Sequence, residues 1–285
     1  KGLTNWSYNH VLPYFKKLES WSEGENEYRG GKGPLHVSKS KTIDTNPLFQ
    51  AVIESAIQAG YAFTDDANGN LQEGFCTYDL TIKNGKRYGT SKAYMQEIYK
   101  RKNVDIFLNT QVQKIIIENK TAKGVEILIN DQRDVIYAGL EVILSCGSIN
   151  SPQLLMLSGI GNANELQQLG ININYDLPGV GKNLQDHLEI YIQHKNIQPL
   201  SLYSLFNNPF VQFYEGIKWF LFNKGMLSHT HLEVGGFVRS SGKYEYPNLQ
   251  FHFFPSLVVN HGLGKPDCHA FQFHVSPNRP TSRGW

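Results

Sequence analysis

Apolar residues along the chain fall into two periods. In "NPLFQAVIESAIQAG" Leu48, Val52, Ile53, Ala56 and Ile57 recur at helical spacing, which predicts a helix with one buried face. Asn46 can cap it, Pro47 suits its first turn, and Gly60 ends it. Val11, Leu12, Phe15 and Leu18 form a second helical stripe, with Pro13 near its beginning. Phe210–Phe222, apolar apart from a few positions such as Glu215 and Lys218, predicts an amphipathic or buried helix. Thr90-Ser91 is positioned to cap a helix through Tyr99. Leu35–Val37 is a short strand, and Phe75–Lys83 alternates towards an Asn84-Gly85 hairpin turn.

Strands then crowd together. "VDIFLNT" is short and apolar, "QVQKIIIENKTAKGVEILI" reads as two strands joined through Asn119–Ala122, and "RDVIYA" as a third. In "LEVILSCGS" the run Val142–Ser145 is almost continuously apolar, as a strand covered on both faces of a parallel sheet would be. The order is therefore buried strand, three-strand meander, buried strand. From Glu189 onward "EIYIQH", "LEVGGFVRSS", "PNLQFHFFP" and "HAFQFHVS" alternate, which predicts a separate antiparallel sheet. Phe251, Phe253, Phe271 and Phe273 would pack one of its faces, and His252 and His274 would sit on a polar or substrate-lining face.

Composition narrows the class. With 285 residues, 40% hydrophobic, 18% charged and a net charge of +2, the chain has the balance of a globular protein with a sizeable core. Scattered Lys and Arg argue against a nucleic-acid partner, and no apolar run has membrane-spanning length. Cys76, Cys146 and Cys268 make neither a disulfide framework nor a zinc pattern. His229 and His231 lack a third ligand at useful spacing, so no metal site is expected. Asn5-Trp-Ser7 and Asn119-Lys-Thr121 fit the N-glycosylation acceptor and favour a secreted protein. Beginning at Lys1 and closing on "PTSRGW", the chain reads as an internal fragment of a longer one.

The chemistry concentrates in "GSINSPQLLMLSGIG", Gly147 to Gly161. A strand ending in Cys146-Gly147-Ser148 lets a ligand approach its backbone closely. Ser151 would cap a helix with Pro152 at its first position, leaving amides free for an anion or polar group. A tight turn chosen for packing alone is the plain alternative. Gly179-Val-Gly181-Lys-Asn183-Leu starts like a dinucleotide fingerprint. It carries Leu184 where a third small residue belongs and follows no long buried strand, so it is rejected as a phosphate loop.

The string Gly-Ser-x-x-Ser-Pro-x-Leu-Leu-x-x-Ser-Gly-Ile-Gly resembles the second signature of the glucose-methanol-choline (GMC) flavin oxidoreductases at every specified position. "WSYNHVLPYFKKLES", "GGKGPLHVS", "RYGTSKAYM", "VDIFLNTQVQKIII", "LPGVGKNLQDH" and "PTSRG" follow in that family's order, closest in wording to insect glucose-dehydrogenase-like members. The resemblance implies a mixed α/β fold: part of a Rossmann-like FAD-binding domain with an inserted β-meander, interleaved with an antiparallel-sheet substrate domain. It divides the chain into a helical lead-in (1–27), a first substrate-domain part (28–86), the second half of the FAD-binding domain (87–188) and a second substrate-domain part (189–285).

It also implies bound FAD and oxidation of an alcohol or sugar, with electrons leaving to oxygen or a quinone. A lyase on the same scaffold and a non-catalytic descendant are the alternatives. Val112 falls where the family's backbone meets the adenine side of FAD, or else is a core valine of the meander. Ser145, Cys146 and Gly147 fall at the adenosine half, by backbone contact. Asn183, with Asp186 and His187, would orient the flavin or make turn hydrogen bonds. The family's glycine-rich pyrophosphate loop and its catalytic histidine match nothing between Lys1 and Trp285, so no catalytic residue is assigned and the chain alone is expected to hold FAD weakly.

Overall fold

A computed structural model describes residues 2–41 and 46–285. These form two compact units, each built from separated stretches: 1–101 with 187–279, and 102–186 with 280–285.

In the first unit α1 (Tyr8–Leu18) carries Pro13 inside rather than at its start, and its Phe15 is exposed. It leads into β1 (Glu19–Trp21), which pairs in parallel with β2 (Leu35–Lys39); β4 (Asp79–Leu80) adds to β2 antiparallel. Helix α2 (Pro47–Gln58) starts as expected, the Asn46 side chain accepting from the Leu48 amide at 3.0 Å. Its buried stripe is Phe49, Val52, Ile53 and Ala56; Ile57, in the last turn, is exposed instead. The Asn84-Gly85 turn joins β5 (Ile82–Lys83) to β6 (Lys86–Arg87), both turn residues at positive φ. Residues 91–98 are helical, but Ser91–Met95 winds as a π-helix before the short α3 (Gln96–Ile98), and no side chain of Thr90 caps it.

Five strands make the main sheet of this unit: β3 (Gly74–Thr77), β12 (Ile190–Lys195), β13 (Val234–Val238), β14 (Leu249–Phe254) and β15 (Ala270–Pro277). Their order is β12-β15-β14-β13-β3, every neighbour antiparallel. Alternation puts Phe251, Phe253, Phe271, Phe273, Val234 and Val238 on one face, where they meet Phe49, Val52 and Ile53 of α2. Phe253 is 1% exposed and meets Phe49 edge-on at 5.7 Å. The other face is mixed, with Gln193, Gln250, His252, Gln272 and His274 alongside Cys76, Phe237 and Phe254. Two further helices, α6 (Tyr203–Asn207) and α7 (Pro209–Phe222), connect β12 to β13. The apolar side of α7 faces outward, against the expectation of an inward stripe.

The second unit holds the meander: β7 (Thr110–Glu118), β8 (Thr121–Ile129) and β9 (Gln132–Tyr137), consecutive and antiparallel. Beside it lie α4 (Gly147–Leu157), α5 (Ala163–Gln168), and the parallel pair β10 (Ile160–Gly161) and β11 (Tyr175–Asp176). The two flanking segments predicted as buried strands are not strands. Residues 104–108 and 141–145 carry no regular secondary structure and have no ladder partners, and Leu108 and Ile143 are exposed. A strand needs a neighbour to bond, and among the described residues none pairs with either segment.

Candidate functional site

In the second unit the chain runs from residues 141–145 through a bend at Cys146 into α4. Val142 and Leu144 turn into a cleft of about 440 Å³ shared with Ile115, Leu155, Ile160 and Leu177. Ser145, Cys146 and Gly147 are exposed on the rim. Gly147 has φ +87°, and a side chain built there would meet nothing within 4 Å. The bend is thus open on the side that a Cβ of residue 147 would occupy.

Helix α4 starts about one turn earlier than the sequence suggests. Cys146, not Ser151, occupies the N-cap position, and Pro152 lies inside the helix. The Ser151 hydroxyl reaches back to accept from the Cys146 amide at 3.1 Å, tying the bend to the turn that precedes Pro152. The amides of the first turn therefore belong to Gly147 and the residues just after it, directly beside Ser145 and Cys146.

The far end of α4 explains the rest of the signature. Ser158 is fully buried; its hydroxyl donates to the Leu154 carbonyl at 2.6 Å and accepts from the Ile115 amide at 2.8 Å, bolting the helix to β7. Gly159 has φ +77°, and a Cβ there would lie 2.2 Å from the Asn172 carbonyl oxygen. Val112 sits three residues before Ile115 on β7, opposite Ile127 at a bulge, and is 37% exposed, so it is no core residue. Gly181 of the 177–184 turn packs against Met156, and Asn183 follows it at φ 60°, exposed. Leu184 bridges to Gly284, and the Asp186 amide and carbonyl both bond the Ser282 hydroxyl. Ser145, Cys146 and Gly147 lie together at the start of α4, whereas Val112 stands on β7 and Asn183 in the turn that follows Gly181.

The first unit offers the mixed face of its five-stranded sheet. His252 and His274 stand directly opposite each other on β14 and β15. His274 Nδ1 lies 3.2 Å from a Glu189 oxygen, and its ring is 4.4 Å from that of Tyr191. Gln272, fully buried, fixes the rest: its carbonyl oxygen accepts from Gln193 Nε2 and the Val258 amide, each at 2.9 Å. Its NH₂ must then face His274 Nε2, with which it is hydrogen-bonded. His274 consequently carries its proton on Nδ1, towards Glu189.

His252 meets the Tyr78 ring at 5.3 Å, and burial lowers its pKa below the ordinary value. Tyr78, its own pKa raised by burial, donates to the Phe251 carbonyl at 2.5 Å. At the entry to β13 the buried Glu233 carboxylate accepts from the Thr230 amide at 3.0 Å and from Ser40, with His229 3.4 Å away. His231 is held at φ 63°, its pKa lowered by burial. None of Glu189, Gln272, Tyr78 or Glu233 was legible as a site residue; each is an ordinary strand-end or strand position in the sequence.

A family model described as GMC oxidoreductase matches residues 1–189. Mitochondrial choline dehydrogenase from Mus musculus is 47% identical over 285 residues, covering 100% of this chain and 47% of that protein. Oxygen-dependent choline dehydrogenase from Photobacterium profundum is 44% identical, covering 100% of the chain and 50% of its own length. A formate oxidase from Aspergillus oryzae RIB40, in a variant made to probe FAD modification, superposes with a TM-score of 0.87 at 23% identity. It covers 98% of this chain and 54% of that one, a likeness that bears on the fold. The chain spans about half the length of the curated relatives it matches.

Proposed function

Because this chain belongs to the GMC oxidoreductase family, we propose that the whole protein is an FAD-dependent oxidoreductase acting on the alcohol group of choline. The observation that carries the substrate is the 44–47% identity to choline dehydrogenases along the entire chain. A sugar, which the wording of single segments favoured, has no comparable support.

The residues present fit the adenosine half of the cofactor. The open bend at Ser145, Cys146 and Gly147, with the first amides of α4 beside it, offers backbone donors to a polar group without a side chain in the way. Val112 and Asn183 are retained as the further contacts. FAD, when bound, supplies the hydride acceptor.

The mixed face of the sheet in the first unit is the proposed substrate wall. The side chains touching His252 and His274 are Tyr78, Tyr191, Gln272 and Glu189, two aromatic rings and a carboxylate with no cation among them. Rings and a carboxylate are what a cationic alcohol needs. His252, neutral at pH 7 because burial lowers its pKa, can hydrogen-bond a hydroxyl without opposing a positive headgroup. Proton removal from the alcohol is assigned to no residue of this chain.

The test is anaerobic mixing of the purified full-length protein with choline. Bleaching of the visible flavin band is expected, with peroxide appearing in air if oxygen is the acceptor and not if a quinone is. A preparation without flavin would sink the cofactor reading, and flavin that glucose reduces but choline does not would sink the substrate.

A further inference from the structure

Gln272 on β15 is fully buried, and its neighbours decide which way its side-chain amide points. The Val258 amide, in the segment after β14, donates to the Gln272 carbonyl oxygen at 2.9 Å. Gln193 Nε2, directly across the ladder on β12, donates to the same oxygen at 2.9 Å. A side-chain amide such as that of Gln193 can turn over, but a backbone N–H only donates. Val258 therefore fixes the direction: the Gln272 oxygen faces its amide, and the Gln272 NH₂ faces His274 Nε2. A ring nitrogen that meets an N–H must offer its lone pair. His274 is left with one proton, on Nδ1, 3.2 Å from a Glu189 oxygen, and without charge.

The ring so fixed stands in the middle of the sheet face. Gly235, His252, His274 and Tyr191 share one register across β13, β14, β15 and β12, so the two imidazoles and the phenol rise in a row. The titratable groups against His274 are His252 on β14, Tyr191 on β12 and Glu189 just before β12. Tyr191 also hydrogen-bonds Glu189. An imidazolium at position 274 would bring positive charge into this row, whereas the neutral ring leaves the Glu189 carboxylate uncompensated beside it.

On the reading of this face as the substrate wall, we infer that Gln272 is a positioning residue that sets substrate preference. By holding His274 in its uncharged, Nδ1-protonated form, it favours a cationic alcohol over a neutral one of the same shape. Gln272 is buried and acts through His274. Glutamine suits the task because its amide both accepts and donates and does not ionise. Glutamate in its place would accept from Val258 and from His274 alike, which calls for a second proton on the ring. Methionine would fill the space and leave Nε2 free to take that proton in acid.

The experiment uses the flavin-loaded full-length protein with isotope-labelled histidine. Nitrogen NMR reads the ring of His274, its signals assigned by their loss in His274→Asn. At about pH 8 a bare Nε2 and a protonated Nδ1 are expected in the wild type, and two protonated nitrogens in Gln272→Glu. KM is then compared for choline and for its uncharged isostere, the alcohol in which a tert-butyl group replaces trimethylammonium. From about pH 8 to about pH 6, the KM for choline relative to the isostere should rise about threefold or more in Gln272→Met and by less in the wild type, with kcat moving less than KM. His252 and Glu189 are present in both proteins, so the difference between them reads Gln272. A purely structural effect would raise both KM values together. A wild-type His274 bare at Nδ1, ring nitrogens indifferent to Gln272→Glu, or a KM ratio that follows pH alike in wild type and Gln272→Met would overturn the inference. Flavin that choline does not reduce would overturn the substrate reading instead, and the ring nitrogens would still decide the role of Gln272.

Discussion

Arg29 shows how much one side chain can organise. It is 2% exposed, pairs with Glu19 through two hydrogen bonds, reaches Asp66 at 2.8 Å and Asp79 at 2.7 Å, and lies 4.2 Å over the Trp21 ring. Burial by itself would lower its pKa, but Glu19, Asp79 and Asp66 together hold it above the ordinary value. Arg29→Met should cost roughly 3–5 kcal/mol in urea unfolding, because three carboxylates would be left close together without their cation. In the sequence Arg29 is one letter among glycine punctuation; its partners stand 10, 37 and 50 positions away. The thiols also separate at this scale. Burial pushes Cys76 up to about 12, whereas Cys146 is exposed at its bend. Maleimide on the native protein near neutral pH should therefore label Cys146 first and leave Cys76 untouched until unfolding. Early labelling of Cys76 would contradict the burial described here.

Among the elements, α4 and β7 are held by Ser158, whose hydroxyl serves both at once. Ser158→Ala would leave the buried Ile115 amide without its acceptor. A loss of about 1–3 kcal/mol is expected in chemical denaturation, with faster amide exchange at Ile115. Ser158→Thr, which keeps the hydroxyl, should recover part of the hydrogen bond if the extra methyl group can be fitted. The Ser-Gly-Ile-Gly end of the signature was legible as a helix stop, and Gly159 at positive φ bears that out. The start of the same helix was not. Ser151-Pro152 has the local form of a cap and first turn, yet the helix begins at Gly147, since the Ser151 hydroxyl closes the preceding turn onto Cys146. Local propensity ranks the possible ends, and the hydrogen bonds then available choose between them.

For the molecule as a whole, acid is the revealing variable. His252 and His231, both in the first unit, have pKa values lowered by burial. Their unfolded pKa lies near 6.5, so below that pH the unfolded chain binds protons that the folded one resists. The stability these groups contribute is complete above about pH 6.5 and is lost as pH falls towards their folded values. Each can steepen the decline by at most about 1.4 kcal/mol per pH unit. His252→Gln and His231→Asn should flatten the acid limb of a stability-against-pH curve; an unchanged limb would deny both histidines their buried, neutral state. Flavin retention is the second whole-molecule test. The proposed adenosine ledge lacks a companion glycine-rich phosphate loop in this sequence, so the isolated 285-residue chain should lose flavin on gel filtration. Stoichiometric retention would show that the ledge binds far more strongly than backbone amides at one bend allow.

What the sequence determined by itself was everything governed by near neighbours. The α2 cap at Asn46, the Asn84-Gly85 hairpin, the three-strand meander, and the alternation of Phe251, Phe253, Phe271 and Phe273 against His252 and His274 were all readable from spacing, and the family signature from its resemblance to a known string. Only the tertiary structure decided which strands found partners, since a ladder is made with another segment and periodicity names none. Residues 104–108 and 141–145 have the composition of buried strands and yet stand unpaired, while β3, from the first third of the chain, joins the edge of the late antiparallel sheet. The outward stripe of α7 has the same cause. A helical period says that one face is apolar, but what that face meets depends on what the rest of the chain brings beside it.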